Sequence, residues 1–597
     1  MSTYTAPLKD MQFVLRELAG IDRIAALPGH DEHNAELAEA ILEEASKFAS
    51  GVLAPLNVIG DREGARWHEG GRVTTAPGWQ AAYRQFAEGG WNGLACPPEH
   101  GGQGLPQVIA ALVEEMWNGA NTAFALCSML TRGAIEAITL CGSPEQQATY
   151  LDKLVSGEWT GTMNLTEPQA GSDLAAVRTR AVPQPDGSYR LSGQKIFITY
   201  GEHDLADNIV HLVLARTPDA PEGVKGISLF VVPKVLVNAD GSLGERNDVR
   251  CVSIEHKLGI HASPTCVLSF GDAGGAVGWP VGELNRGLEY MFIMMNAARF
   301  AVGLEGVGLS ERAYQQALAY ARDRVQGPEA GTRSRDKVAI VRHPDVRRML
   351  LQMKSRTEAL RAVATVTGAA MDLAAAHPDA AERARQQAFV ELMIPIVKGW
   401  STESAVLVTS LGVQVHGGMG FIEETGAAQH LRDARITPIY EGTTGIQATD
   451  LVGRKIARDG GAAIGAVIAE MRDVHQRLLE SPDDDLRAIA TALGGGVDAL
   501  AQAVQFVLQR HASDLRAVLA GAVPLLELFG IVAGGWQMAR AAEAAVRRLA
   551  EPDADRAFLE AKRLTARFYA EHVLSAAAGL AHAVQHGAAA IDGAWDA

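Results

Sequence analysis

From Pro7 to about Gly157, apolar residues recur at three- and four-residue spacing, as in Asn34–Ser50. That spacing predicts helices. Breakers at Ala95-Cys96-Pro97-Pro98 and Gly101-Gly102-Gln103-Gly104-Leu105-Pro106 divide them. The pattern changes near Gly161. Tyr189–Tyr200, Asn208–Ala215, Gly226–Val235 and Thr265–Phe270 are short and rich in β-branched or aromatic residues. Turn clusters such as Pro185-Asp186-Gly187-Ser188 and Asn238-Ala239-Asp240-Gly241 lie between strand candidates. A compact antiparallel β domain of barrel type is expected.

Helical periodicity returns after about Asn285. His343-Pro344-Asp345 reads as a helix start with proline at the first position. Val346, Met349, Leu350, Met353 and Leu360 follow on one face. The run Gly303-Leu304-Glu305-Gly306-Val307-Gly308 would let two helices approach closely, at a cost in helix propensity. Beyond Arg458-Asp459-Gly460-Gly461, the stretches Ala462–Leu479, Asp485–Gln509, Leu515–Leu549 and Ala554–His586 predict a further bundle. The expected fold is mostly α with a central β domain. Its expected segments are an N-terminal helical domain at 1–160, a β domain at 161–282, a helical domain at 283–457 and an extra bundle at 460–597.

Composition adds little against this layout. With 597 residues the chain exceeds one hydrophobic core, and 47% hydrophobic with 21% charged residues is ordinary for a globular protein. A net charge of -16 disfavours general affinity for nucleic acid or anionic lipid. Five scattered cysteines without a Cys-x-x-Cys pair read as reduced thiols, consistent with a cytoplasmic protein. Met1 to Gln12 lacks the layout of a signal peptide. The apolar stretch Ala517–Trp536 is interrupted by Pro524 and Glu527 and reads as buried helices rather than a membrane span.

No G-x-G-x-x-G and no G-x-x-x-x-G-K-[ST] occurs, so a Rossmann site or P-loop is unsupported. His30-Asp31-Glu32-His33 lacks the spacing of a zinc helix, and His256 and His261 read as loop residues; no metal is expected. Four other segments carry candidate chemistry. Asn164-Leu165-Thr166-Glu167-Pro168-Gln169-Ala170-Gly171-Ser172-Asp173-Leu174 offers hydroxyls and a glycine beside the first β region. By itself it is a turn or a ligand loop. In Gln194–Gly201, strand alternation puts Phe197 and Thr199 on one face, as a core position or against a planar ring. Leu411–Phe421 holds glycines that permit close backbone approach. In Leu431–Gln447, Pro438 halts one element, Gly442 bends the chain and Glu441 sits at the bend. From chemistry alone Glu441 is one acid among many.

In this order the segments resemble the acyl-CoA dehydrogenase family, over about 80–457. Asn164–Leu174 resembles its T-E-P-x-A-G-S-D loop, and Lys195–Gly201 its flavin-facing strand. Arg324-Val325-Gln326-Gly327 resembles the R-x-Q-F-G element without its phenylalanine. Gln414–Gly420 resembles Q-x-x-G-G-x-G, contributed across a subunit interface, and Tyr440-Glu441-Gly442-Thr443 the base motif. The long chain is similar to an extended subfamily that includes 3-(methylthio)propanoyl-CoA dehydrogenases and broad-range bacterial fatty acyl-CoA dehydrogenases.

The resemblance implies FAD at the junction of helical and β domains. It implies that Leu165, Thr166, Gly171, Ser172, Phe197, Thr199, Arg324, Gln326, Gln414, Gly417, Gly418 and Thr443 contact FAD, and that Tyr440, Gly442 and Arg299 border the substrate. Glu441 is the implied base, taking the α-proton of an acyl-CoA while the β-hydrogen leaves as hydride to the flavin. Electrons then pass to electron-transferring flavoprotein, and the chain is a homodimer or homotetramer. Two positions depart from common patterns. Gly445 stands where many members carry glutamine. Ala298, in Asn296-Ala297-Ala298-Arg299, occupies the position from which some relatives supply the base, and it cannot act as one. A thioester α-carbon is a weaker acid than a carboxyl by roughly ten pKa units, so bare transfer would cost about 14 kcal/mol. Hydrogen bonds to the thioester oxygen and desolvation of the base must close most of that gap. An acyl-CoA oxidase and a DNA-binding flavoprotein of the same fold are the alternatives.

Overall fold

In the computed structural model, residues 4–592 are described. Met1–Thr3 and Gly593–Ala597, which belong to the expected first and last segments, lie outside the described residues. The chain forms two compact units. One comprises residues 1–47, 106–119 and 302–597; the other comprises 48–105 and 120–301. The boundary falls within helix α1 (Gln107–Cys141), close to a kink at Asn121, and within α2 (Gly287–Asp323).

The second unit contains the β domain. Its strands are β1 (Trp159–Asn164), β2 (Arg180–Pro183), β3 (Tyr189–Thr199), β4 (Asn208–Ala215), β5 (Ser228–Pro233), β6 (Val249–Ile254), β7 (Thr265–Phe270) and β8 (Ala276–Pro280). Hydrogen bonding runs β6-β7-β3-β8-β5-β4-β1, with β2 added on β3. The pairs are antiparallel as expected, except β1–β4, which is parallel. Parallel pairing needs a long crossover, and β2 and β3 lie within it. Every residue of β1, β4 and β5 is buried, so none shows the alternation of a one-sided strand. The core is built from Leu191, Ile198, Val213, Phe230, Leu268 and Phe270.

Two buried histidines brace this sheet. His203 Nε2 lies 2.9 Å from the Thr160 hydroxyl and His211 Nδ1 lies 2.8 Å from that of Thr162. Burial, with Lys234 adding repulsion, pushes both rings down to about 3, so they are neutral in the folded protein. The unfolded chain binds these protons at an ordinary histidine pKa and the folded chain does not. Stability is therefore fully present above about pH 6.5 and falls as pH drops toward 3, by up to about 1.4 kcal/mol per pH unit for each ring. Thermal melts between pH 7 and 5 should show this fall, and His211→Gln should flatten it.

The other unit is helical. After α2 come α3 (Pro344–Ala376), α4 (Ala380–His416), α5 (Ala427–Ala434), α6 (Thr444–Asp450), α7 (Ala462–Leu479), α8 (Asp484–Arg510), α9 (Ala522–Arg548), α10 (Arg556–His572) and α11 (Ala577–His586). Proline at the first position of α3 starts it as expected. The expected single helix over Leu515–Leu549 is two, Leu515–Ala520 and α9, broken at Gly521. A Cβ on Gly521 would meet the Val584 carbonyl oxygen at 2.8 Å, so another segment packs against the break. Pro524 lies in the first turn of α9, where its missing N–H costs nothing. Ala554–His586 likewise divides into α10 and α11. By length and composition α9 could cross a membrane, but most of its apolar window is buried within the protein.

The small-residue run of α2 does bring backbones together. A Cβ on Gly303 would lie 2.6 Å from the Val397 carbonyl oxygen, and one on Gly306 2.7 Å from that of Ser401. Thus α2 lies directly on α4. The C-terminal helices also pack on this layer: a Cβ on Gly530 of α9 would strike the Trp400 ring of α4 at 2.2 Å. The N-terminal Phe13, Val14 and Leu18 share a core with Ala362 of α3, Ala541 and Ala545 of α9, and Leu559 of α10.

Candidate active site

Glu441 sits on the turn between α5 and α6, where left-handed backbone is rare for a side chain other than glycine. Its φ is 53° and that of Gly442 is 90°. Such a conformation persists only where surrounding contacts hold it. Those contacts are explicit. Lys398, fully buried on α4, donates from Nζ to the carbonyls of Thr437 and Gly442, each at 2.8 Å. Gln447 donates from Nε2 to the carbonyls of Glu441 at 3.2 Å and Gly442 at 3.3 Å. The Thr444 N–H closes the loop onto the Pro438 carbonyl at 3.0 Å. The φ of Gly442 favours glycine, and a Cβ there would come within 2.8 Å of Gln447 Nε2 and displace that clamp.

Beneath the turn, the Tyr440 hydroxyl donates to Glu305 Oε2 of α2. Thr443 accepts from the Ile446 N–H at 3.2 Å and caps α6, which occupies its hydroxyl. Gly445 is exposed at the start of the same helix.

In the second unit two motifs converge. Ile196 N–H donates to the Thr166 carbonyl at 2.9 Å, and Lys195 Nζ donates to the Leu165 carbonyl at 3.0 Å and to Glu167 at 2.8 Å. Glu167 also accepts from the N–H groups of Arg178 and Thr179 and from the Thr179 hydroxyl. Lys195 and these donors hold its carboxyl down at about 2, despite burial. The acid of the T-E-P loop therefore staples the loop to β3.

Strict alternation in β3 gives way to a bulge. Between Lys195 and Ile198 the strand carries one residue more than β7 opposite, and Phe197 has φ 59°. Phe197 is nonetheless 58% exposed beside half-buried Thr199, while Ile198 between them is buried. The bulge thus presents an aromatic ring and a hydroxyl together. Gly171 and Ser172 are exposed on the loop, and nothing lies within 4 Å of a Cβ on Gly171. Arg299, also in this unit, is buried on α2 with Nη1 3.4 Å from Asn296 Oδ1, and Ala298 beside it is buried.

Arg324 and Gln326 are exposed in the helical unit, and the Gln326 carbonyl lies 2.7 Å from His343 Nε2. Gln414, Gly417 and Gly418 are exposed at the end of α4, with no atom within 4 Å of a Cβ on either glycine. Within the second unit, the presented Phe197 ring, the neighbouring Thr199 hydroxyl and the open backbone at Gly171 fit one side of a flavin. Among the described residues, no group of three or more His, Cys, Asp or Glu is placed to hold a metal ion.

Lys398, Gln447 and Glu305 were not reached from the sequence. Their signal was each a polar residue isolated among apolar or small neighbours, as in Pro395-Ile396-Val397-Lys398-Gly399-Trp400. Such a residue, once buried, must find partners.

Family comparisons run in register with this geometry. The N-terminal, middle and C-terminal domains of acyl-CoA dehydrogenase match residues 35–158, 162–273 and 285–456, and an acetyl-CoA dehydrogenase C-terminal-like region matches 464–592. The chain is 52% identical to 3-methylmercaptopropionyl-CoA dehydrogenase of Ruegeria pomeroyi, over 96% of each chain. It is 36% identical to the broad-specificity linear acyl-CoA dehydrogenase FadE5 of Mycobacterium tuberculosis, again over 96% of each. A Bacillus anthracis acyl-CoA dehydrogenase crystallised with FAD shares the fold, with a TM-score of 0.75 at 22% identity, over 97% of this chain and 92% of that one. Fold and relatives define a flavin-dependent oxidoreductase acting on CH–CH bonds. Within that class, the chain belongs to the acyl-CoA dehydrogenase family.

Proposed function

We propose that the protein dehydrogenates an acyl-CoA thioester with Glu441 as base, and that 3-(methylthio)propanoyl-CoA is its substrate. The observation that carries the base is the constrained turn. Lys398 and Gln447 neutralise and pin its carbonyls, and the strained φ at Glu441 fixes where the carboxylate can point. FAD, when bound, supplies the acceptor for the β-hydride. Glu441 takes the α-proton on its carboxylate, and its backbone N–H is a donor available to the thioester oxygen. Tyr440 and Gly442 border that oxygen. Arg299 lends charge to the substrate.

In this reading Leu165, Thr166, Gly171, Ser172, Phe197 and Thr199 line the flavin ring side. Arg324, Gln326, Gln414, Gly417 and Gly418 serve its pyrophosphate and adenosine side, and Thr443 is a further FAD contact. The Gln414–Gly420 segment, with Phe421 and Ile422 just beyond it, serves across a homodimer or homotetramer interface. Its exposed Met419, Phe421 and Ile422 support that. Electrons pass to electron-transferring flavoprotein in the cytoplasm, and the chain divides at 1–160, 161–282, 283–457 and 460–597. The substrate choice rests on the name borne by the 52% relative. Flavin bleaching across a panel of acyl-CoAs tests it. Fastest bleaching is expected with 3-(methylthio)propanoyl-CoA, and faster bleaching with a long straight-chain thioester would overturn the choice. Rapid peroxide formation in air without an added acceptor would favour the oxidase.

A further inference from the structure

Within the glycine run that seats α2 on α4, one residue is acidic. Glu305 is 1% exposed, between Gly303 against Val397 and Gly306 against Ser401. An apolar side chain would satisfy that packing at lower cost. Glu305 Oε2 accepts from the Tyr440 hydroxyl, while Oε1 has no hydrogen-bond partner. A buried, half-unsatisfied carboxyl directly under the base-bearing turn calls for a role.

We propose that Glu305 is a positioning residue for Glu441, a second carboxyl that holds the turn through Tyr440 and sets how readily Glu441 accepts the α-proton. The inference rests on Glu441 being the base. The titratable and charged groups facing Glu305 are Tyr440 and Glu441 from the turn and Lys398 from α4. Burial is the largest influence on its carboxyl and raises it to about 8; Glu441 adds to the rise, while Tyr440 and Lys398 oppose it. At neutral pH, Glu305 therefore keeps its proton, on Oε1, because Oε2 receives the phenol. Glu441 then carries the one carboxylate charge of the pair. As pH rises through about 8, Glu305 ionises, and the second negative charge raises the proton affinity of Glu441.

The test uses the flavin-loaded enzyme. Wild type is expected to bleach faster as pH rises through about 8, by up to about tenfold for a coupling of one pKa unit. Glu305→Gln, which keeps the shape and cannot ionise, is expected to lose that rise. Infrared difference spectra supply a second readout, independent of turnover. The wild-type spectrum minus that of Glu305→Gln is expected to contain a protonated-carboxyl band at pH 7 that is lost above about pH 8, because the other raised carboxyls, Glu115, Glu136 and Asp372, are common to both proteins and cancel. If the variant does not fold, Tyr440→Phe takes its place. Removing the phenol withdraws a hydrogen bond that lowers Glu305, so the band should persist to higher pH. The proposal is overturned if Glu305→Gln keeps the wild-type profile and band, or if the band in Tyr440→Phe titrates as in wild type. Normal bleaching by Glu441→Gln would instead sink the base assignment, so the two failures are distinct.

Discussion

Glu441→Gln is expected to yield a folded, yellow protein whose substrate-dependent bleaching is slowed by about a thousandfold or more. Glutamine has the same length and keeps the turn, because Lys398 and Gln447 bind backbone carbonyls rather than the Glu441 side chain. What it lacks is a carboxylate to accept the α-proton. Two rivals do not take over: Ala298, at the position where the resemblance implies an alternative base, has no ionisable group, and protonated Glu305 has no vacant site for a proton at neutral pH. Stopped-flow absorbance at the flavin band measures the rate, and the unreacted spectrum confirms cofactor content. Bleaching within tenfold of wild type would refute the assignment.

Arg361→Leu is expected to be the most destabilising single change in the helical unit. Arg361 is buried on α3 and donates to Glu115 at 2.6 and 2.9 Å, to Glu311 at 2.7 Å and to Asp10 at 2.5 Å. Lys562 of α10 in turn donates to Asp10 at 2.5 Å and Glu358 at 2.8 Å, and Lys354 also pairs with Glu358. Three cations thus face four acids. Burial pushes Glu115 up to about 7, whereas Lys562 and Arg361 hold Asp10 low. Leucine would leave three buried carboxyls beside an apolar stem. Breaking such a network typically costs about 3–5 kcal/mol. Glu115, already raised by burial, would rise further without Arg361 to oppose it, so at that group the folded state would bind more protons than the unfolded one. The deficit should therefore grow as pH rises from 5 to 8. Urea unfolding at both pH values checks this; a midpoint shift that is small and independent of pH would refute it.

The same network clasps a cavity of about 430 Å³ between the N-terminal segment and α10. It explains why the early Tyr4–Phe13 and the late helices belong to one unit. Neither was placed by periodicity, which records that a face is apolar but not what covers it.

By itself the sequence determined the order of helical, β and helical segments. Three-, four- and two-residue spacings report which side of each element is buried. Through the resemblance of its ordered motifs it also put Glu441 forward as the base, although from chemistry alone that residue is one acid among many. Tertiary structure alone decided what holds that turn. Lys398, Gln447 and Glu305 come from 43 residues before Glu441, 6 after it and 136 before it, and their roles depend on carbonyls and hydroxyls that no local spacing encodes. The parallel β1–β4 pair, the bulge that turns out Phe197 and the stapling role of Glu167 were decided there too, by pairing across long stretches of chain. The resemblance put Glu441 forward; the strained backbone there, the clamped carbonyls of its turn and the buried carboxyl of Glu305 became visible only once the helices were packed.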